Sequence, residues 1–265
     1  MLDRFCSGGP VRMRCLHAPR DNAAAARNLA VMQAQGRWLL FLDETLLAGS
    51  HLVEHHVTCQ QRNGHVAAVV GRIDYHPQLD ARTTSKVGRL TQQTFQPGQP
   101  LSFLDWRAQN LSLPRDAVLD LGGFSEDLPF EGLEDLELGY RLERSVGIRG
   151  HYCDQAQAFL WKPEPLDREA GRCYAEGYWL HHLLETTESE QLRERYRGIV
   201  AAWRGAADPV MLPLAHRLCP VLAYNSRTFN ALRFRVLRSA FRRGYRDAHR
   251  GRPAALSALH ARDER

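Results

Sequence analysis

The sequence predicts an α/β protein with a mixed, mostly parallel sheet flanked by helices and followed by a helical extension. Between residues 11 and 161, short apolar runs alternate with stretches of helical composition, the order expected of strand–helix units. With 265 residues, 44% of them hydrophobic and 25% charged, the chain can bury a sizeable core. Beyond Asp167 the pattern is helical. We therefore predict a core domain over residues 1–165 and a helical, basic extension over residues 166–265.

The first elements are predicted from alternation and helix-end signals. Residues 11–16 alternate as a short strand. The run "AAAARNLAVMQAQ" has helical composition, with Asn22 as its N-cap and Gly36 as its stop. Residues 38–43 follow as an apolar strand that ends at an acidic residue.

The next elements are a helix, a strand and a long loop. Ser50 is predicted to cap a helix through "HLVEHHVTCQQR" that ends at Gly64. "VAAVVGRIDY" has the β-branched composition of a buried strand. Residues 76–100 are polar and rich in turn formers, which predicts a surface or active-site loop.

The second half returns to strands and helices. "LSFLDWRAQNLSLPRDAVLDLGGFSE" predicts a strand, a short helix and a glycine turn, and "EDLELGYRLERSVG" predicts a helix that Gly147 ends. "IRGHYCDQAQAFLW" is expected to be extended. The helical pattern that follows is interrupted at Pro209, Pro213 and Pro220.

The cysteines and the hydropathy exclude several protein classes. No C-x-x-C pair occurs, so neither a disulfide scaffold nor a zinc knuckle is expected and the thiols are predicted to be free. The N-terminus lacks a signal-peptide pattern and no run of 18 apolar residues occurs, so a cytoplasmic location is expected. The cysteines are Cys6, Cys15, Cys59, Cys153, Cys173 and Cys219.

The net charge of +5 is concentrated near the C-terminus, where residues 227–252 contain nine arginines and one acid, Asp247. Beside the arginines runs an apolar stripe. This pattern predicts either a peripheral helix on an anionic membrane at its inner face or a packing helix with a solvated basic face. Nucleic acid is not an expected partner, because no stacking aromatics interleave the arginines. The stripe consists of Phe234, Val236, Leu237, Ala240, Phe241 and Tyr245.

Three positions are candidates for chemistry. Glu134 and Asp135 open a helix, where the helix dipole favours negative charge, about a dozen residues after the Gly122-Gly123 turn. Asp43 ends a strand at the edge where α/β sheets bind ligands. Ordinary helix-start acids and a solvated strand end remain as structural alternatives.

The histidine groups are weaker candidates. His51, His55 and His56 have a helical spacing that suits a metal, but no carboxylate or cysteine nearby in sequence completes a site, so packed or solvated positions are favoured. The same holds for His181 and His182.

Two blocks carry a resemblance to a known family. "AAAARNLAVMQAQGRWLLFLDET" and "NLSLPRDAVLDLGGFSEDLPFEGLEDLELGYRLERSVGIRGHY" together resemble the family-2 glycosyltransferases of GT-A fold. Those enzymes share an Ala-Arg-Asn helix, a strand ending in Asp-x-Asp, a Gly-Gly-Phe turn and a Glu-Asp helix start. The match covers roughly residues 20–160 in the same order.

The resemblance implies transfer of a sugar, with inversion, from a nucleotide sugar to a glycan, glycolipid or small-molecule acceptor. Asp135 would be the general base, an effect worth about 10²–10⁴-fold, and Glu134 would position it. Contacts with the donor would come from Arg27, Asp43, Glu44, Asn110, Gly122 and Gly123.

The resemblance also implies a Mg²⁺ or Mn²⁺ ion at the Asp-x-Asp motif. Asp43 matches the first carboxylate, but the second position is Thr45, whose hydroxyl is a poorer ligand; Glu44 reaches the metal only if the backbone slips by one residue. A metal-binding histidine common after the last strand is replaced by Leu160 and Trp161. A weakened metal centre is therefore expected.

The chain also departs from the family at its start. Family members place a strand, a helix and a second strand before the segment that matches residues 11–16, so an N-terminally shortened core is expected. In the family's sheet, the two missing strands would lie between the strand that matches residues 11–16 and the strand of residues 38–43. The alternative to an enzyme is a catalytically degenerate GT-A-like binding or scaffold protein, and a nucleotidyltransferase is a weaker third hypothesis.

Overall fold

The computed structural model describes the chain in segments that contain six strands and six α-helices. The described residues are 13–19, 22–64, 66–76, 95–97, 99–127, 134–161, 166–186, 190, 193–194 and 227–254. The strands are β1 (Trp38–Leu42), β2 (Leu46–Ala48), β3 (Ala67–Tyr75), β4 (Pro100–Leu101), β5 (Asn110–Pro114) and β6 (Arg149–Leu160). The helices are α1 (Ala23–Gln33), α2 (Leu52–Arg62), α3 (Arg115–Asp120), α4 (Glu134–Arg141), α5 (Leu166–Thr186) and α6 (Arg227–His249).

One mixed sheet has the strand order β1-β5-β3-β6-β2, with β4 also paired to β6. β3 and β6 are parallel neighbours, whereas β5 runs antiparallel to both β1 and β3. β1, β3 and β6 therefore point in the same direction, and their carboxyl ends lie at one edge of the sheet. The predicted mixed α/β sheet flanked by helices is confirmed.

The two faces of the sheet pack against different helices. The front face, which includes Leu39 and Val70, packs against α1, α3, α4 and α5 in the main hydrophobic core. The back face, which includes Val69 and Ala158, packs against Leu52 of α2. Because side chains alternate along a strand, membership of these two cores assigns each strand residue to a face.

A bulge bends β6 between its two halves. Gly71 of β3 aligns with Cys153, but the next residue, Arg72, aligns with Gln157, so residues 154–156 are extra in β6. The Asn110 amide donates to the carbonyls of Arg72 (3.1 Å) and Ala156 (2.9 Å) at this bulge. The last residues of β6 then pair with β2, a strand that the sequence analysis did not predict.

A buried polar network joins α2 to the sheet. His56 Nε2 donates to Asn110 Oδ1 at 2.8 Å, because an amide oxygen can only accept, and His56 Nδ1 lies 3.0 Å from Ser112 Oγ. Gln60 Nε2 donates to Ser112 Oγ at 3.0 Å. Burial lowers the pKa of His56, against the raising effect of its hydrogen bond to Asn110. His56 is therefore a packed core histidine.

The two long C-terminal helices pack closely through glycines. A Cβ at Gly177 of α5 would lie 2.0 Å from the carbonyl oxygen of Phe241, and one at Gly244 of α6 would lie 1.9 Å from that of Tyr174. Phe241, like Val236 and Ala240 in the same stripe, is buried. The stripe therefore serves helix packing, which supports the packing-helix alternative.

One predicted strand and two predicted helix ends are wrong, whereas one predicted helix cap is confirmed. Residues 13–16 form no strand, and Met13 is 50% exposed, because no neighbouring strand among the described residues supplies hydrogen bonds. His51, rather than Ser50, is the N-cap of α2. Helix α1 ends at the extended Ala34, before Gly36, whereas the Asn22 cap is confirmed by its 2.7 Å bond from the Ala25 N–H.

Three further predictions concern the cysteines, the glycine that follows α4 and the hydropathy of the helices. Cys15, Cys59, Cys153 and Cys173 are free thiols, whereas Cys6 and Cys219 lie outside the described residues, as do the three helix-interrupting prolines. Gly147 ends a five-residue π-helix that continues α4, with φ of 73°. None of the helices within the described residues combines the length and apolar character needed to cross a membrane.

Candidate active site

The candidate site centres on an arginine between two buried carboxylates. Glu134 and Asp135 occupy the first turn of α4 and are only 3% and 9% exposed. Arg27 of α1 donates from Nη1 to Glu134 Oε1, and the same nitrogen lies 3.4 Å from Asp135 Oδ1. The structure therefore brings together three residues that the sequence analysis singled out, although Arg27 and Glu134 are 107 positions apart.

The second oxygen of Asp135 is held by the backbone. The N–H of Ala108, just before β5, donates to Asp135 Oδ2 at 2.9 Å. Burial raises the pKa of Asp135 above the usual aspartate value, because the lowering effect of Arg27 does not offset the desolvation, and the nearby Glu134 adds to the rise. A carboxylate with a raised pKa is a better proton acceptor than a solvated one.

Arg27 is a fixed positive charge at the centre of this group. Burial opposes its charge, but the carboxylates of Asp135, Glu134 and Asp43 outweigh that effect and raise its pKa. Its guanidinium also lies 5.5 Å from the centroid of the Phe124 ring. The Phe124 ring also packs edge to face on Phe41 of β1, at 5.3 Å between centroids, so the end of β1 lies on the same side of the sheet as the cluster.

Asp43 stands at the start of a tight turn that leads from β1 to β2. Its Oδ1 accepts the backbone N–H of Thr45 at 2.9 Å and also the Thr45 hydroxyl, and its carbonyl accepts the Leu46 N–H at 3.0 Å. Thr45 therefore orients the Asp43 carboxylate, while Glu44 is exposed. Within the described residues, no group of three or more His, Cys, Asp or Glu side chains could hold a metal ion.

The Gly122-Gly123 turn has a structural explanation. Both glycines have positive φ, 78° and 77°, and their N–H groups bond to the last carbonyls of α3. A Cβ on Gly123 would lie 2.4 Å from Asn28 Oδ1. Asn28 in turn accepts the Phe124 N–H and donates to the Phe124 carbonyl, both at 2.8 Å. A contact of either glycine with a donor stays a prediction.

Two residues that the sequence analysis did not select hold the site together. Asn28 ties α1 to the glycine turn, and Arg141 ties α4 to the same turn by donating to the Leu121 and Gly123 carbonyls at 2.7 Å each. Arg141 is also bidentate to Glu137, at 2.6 and 2.7 Å. Their only signal in the sequence is their place inside the Ala-Arg-Asn and Leu-Gly-Tyr-Arg-Leu runs.

Asn110 lies apart from this cluster. It is 1% exposed, and its amide is committed to His56 and to the carbonyls at the β6 bulge. Its neighbour in the sheet, Leu42, directly precedes Asp43, so the two candidate residues are close in register but serve different purposes. We therefore leave Asn110 out of the proposed donor contacts.

Comparison with known proteins identifies solved structures with a similar fold. No profile of a known family and no curated protein matches the chain. The mannosyltransferase PcManGT from Pyrobaculum calidifontis, solved with GDP-Man and Mn²⁺, is 16% identical and covers 84% of this chain and 67% of its own, with a TM-score of 0.51. The fold is glycosyltransferase-like. TarS residues 1–349 from S. aureus match at 12% identity over 95% of this chain and 78% of theirs, also with a TM-score of 0.51.

Proposed function

We propose that the chain is an inverting glycosyltransferase of the family-2, GT-A type that moves a sugar from a nucleotide sugar to an acceptor hydroxyl. The observation that supports this most directly is the Arg27–Glu134–Asp135 cluster beside Asp43, at the carboxyl ends of the strands. The PcManGT structure contains GDP-Man, which favours a nucleotide sugar as donor here too.

In this proposal Asp135 is the general base. As the acceptor oxygen forms a bond to the anomeric carbon, the bond from that carbon to the diphosphate breaks, and the hydroxyl proton passes to Asp135. Oδ2 is held by the Ala108 N–H, so Oδ1 is the oxygen that takes the proton. Arg27 binds Glu134 more closely than Asp135, so Glu134 neutralises much of the arginine charge and keeps Asp135 basic.

The donor side of the proposed site is formed by Arg27, Asp43 and Glu44, with the Gly122-Gly123 turn at its border. Arg27 would donate to oxygens of the donor through the guanidinium nitrogens that do not bind Glu134, and Asp43, held by Thr45, would accept hydrogen bonds from the donor. Glu44 is exposed and contributes only if the donor covers it.

The described residues do not fit a metal held by the protein itself. Asp43 is a single carboxylate, and Thr45, at the second position of the motif, uses its hydroxyl proton to bond it. The PcManGT structure contains Mn²⁺, and Mg²⁺ or Mn²⁺ remains the expected cofactor class. No step of the proposed mechanism depends on it.

A catalytically degenerate binding or scaffold protein is less well supported. Burying two adjacent carboxylates costs stability, and hydrophobic residues of similar size would pack such a position at no such cost. We infer that Glu134 and Asp135 serve chemistry rather than folding.

The location and the two-part organisation are also proposals. We propose a cytoplasmic enzyme with a core over residues 1–165 and a helical extension over residues 166–265. Because Val236, Ala240 and Phe241 of the α6 stripe are buried and Phe234 alone of its members is exposed, a peripheral contact of residues 227–252 with an anionic membrane would be mainly electrostatic, through exposed residues such as Arg235 and Arg243.

Asp135→Asn tests the proposal. The amide keeps the shape but cannot take the proton, so we expect kcat to fall about 10²–10⁴-fold while donor affinity is retained. Asp116→Asn, at an 87% exposed side chain on α3, is the control and should leave kcat unchanged. Near-normal turnover in Asp135→Asn would remove Asp135 from the mechanism.

A further inference from the structure

A second group of side chains lies on the front face near the carboxyl ends of β3 and β6. Asp74 Oδ2 is 2.7 Å from Arg72 Nε and accepts from Gln157 Nε2 at 2.5 Å. Ile73 and Ala158 belong to the back-face core, so alternation places these three polar residues on the front face. We call the surface formed by Arg72, Asp74, His76, Gln157, Phe159 and Trp161 the β3–β6 strip.

Aromatic rings continue the strip beyond the polar residues. The rings of His76 and Trp161 meet edge to face at 4.7 Å between centroids, and His76 also contacts Phe159 at 6.1 Å. Trp161 is 46% exposed, and its backbone N–H donates to the Thr45 carbonyl at 2.9 Å. The strip therefore adjoins the turn that follows Asp43.

The sheet register places the strip beside the candidate active site. Leu42 aligns with Asn110, and continuing the β5–β3 register aligns Asn110 with Gly71. The next row across the sheet then contains Asp43 and Arg72. These two residues are two strand steps apart, which is roughly 10 Å at about 4.8 Å a step.

The composition of the strip suits one class of ligand. A pyranose ring has an apolar face of C–H groups that packs on aromatic rings, and neighbouring hydroxyls that both donate and accept hydrogen bonds. Planar guanidinium, carboxylate and amide groups pair with two such hydroxyls at once. The ion pair with Arg72 and the hydrogen bond from Gln157 orient the Asp74 carboxylate before a ligand binds.

We propose that the β3–β6 strip binds the acceptor of the reaction and that this acceptor is a carbohydrate. The inference rests on the proposed function, because it assigns the strip to the acceptor of that same site. The sugar would stack on Trp161 and place its hydroxyls against Asp74 and Gln157. A glycan or the glycan part of a glycolipid fits this surface, whereas a purely aliphatic acceptor does not.

Saccharide binding by the full chain provides the test. The probes are maltotriose, cellotriose, chitotriose and mannotriose. Their binding is measured by saturation-transfer NMR and by tryptophan fluorescence. We expect at least one probe to bind, and Trp161→Ala to weaken it about tenfold, with Trp161→Phe and Asp74→Asn intermediate. Phe234→Ala, at a ring 44% exposed on α6, is the matched control and should bind normally.

The outcomes separate this inference from the proposed function. In Trp161→Ala the KM for a saccharide acceptor should rise, whereas Phe234→Ala should leave both that KM and the hydrolysis of the donor by water unchanged. If wild type binds none of the probes, or if Trp161→Ala and Phe234→Ala bind alike, the acceptor inference is overturned while donor hydrolysis still tests the enzyme. If donor hydrolysis is absent but Trp161-dependent saccharide binding persists, the proposed function fails and the strip remains a sugar-binding surface.

Discussion

Replacing Arg27 with methionine tests the electrostatic design of the candidate site. Methionine fills a similar volume but leaves Glu134 and Asp135 buried without their counter-charge. Breaking a buried ion pair on one side costs about 3–5 kcal/mol. At roughly 2–4 °C for each kcal/mol in a domain of this size, the melting temperature should fall by about 10 °C.

The loss of stability in Arg27→Met should depend on pH. Burial already raises the pKa of Asp135, and loss of Arg27, the main opposing influence, raises it further. An acid whose folded pKa lies above its unfolded value of about 4 binds more protons in the folded state, so stability falls as pH rises through that interval. The penalty of Arg27→Met should therefore be larger at pH 8 than at pH 5.

Urea denaturation of both proteins at the two pH values is the assay. Arg72→Met is the control, because its ion pair with Asp74 involves a guanidinium side chain that is 47% exposed and should be worth less than about 1 kcal/mol. A penalty below about 1 kcal/mol for Arg27→Met, or one equal at pH 5 and pH 8, would refute the reasoning.

Two further predictions concern the strand end and the core. Thr45→Asp should tighten Mn²⁺ binding about tenfold in calorimetry, because a second carboxylate joins Asp43. The control Thr45→Val should not tighten it. Equal Mn²⁺ affinity in the wild type and both variants would contradict the weakened-metal interpretation. Burial lowers the pKa of His56, so the unfolded chain takes up more protons and stability should be lost as pH falls below the unfolded value of about 6.5. His56→Gln should flatten that slope in urea denaturation, whereas His51→Gln, at a 67% exposed side chain, should keep it.

Local patterns in the sequence predict much of the fold. The apolar run of β1, the Asn22 cap of α1 and the glycine end after α4 each depend on a few adjacent residues, so they can be read without the rest of the chain. Glu134 and Asp135 were also found locally, from acids at a helix start. Their partner Arg27 was identified only through the family resemblance.

The remaining features depend on contacts between distant residues. The bulge in β6 arises where β3 and β6 change register, and β2 forms only because the bent end of β6 pairs with it. Asn110 was expected at the donor, but its amide satisfies the bulge carbonyls, a need that no local pattern reveals. Residues 11–16 have the alternation of a strand, yet alternation alone supplies no hydrogen-bonding neighbour.

The hydrogen bond from Ala108 to Asp135 has a consequence for how this site can vary. The donor is a backbone N–H, so it is present whatever side chain occupies position 108, and only proline removes it. A comparison of homologous sequences would therefore show no invariant residue marking this half of the carboxylate's environment. Side chains at residues 107–109 can change during evolution while the Asp135 carboxylate keeps this hydrogen bond, provided that the path of the loop is preserved.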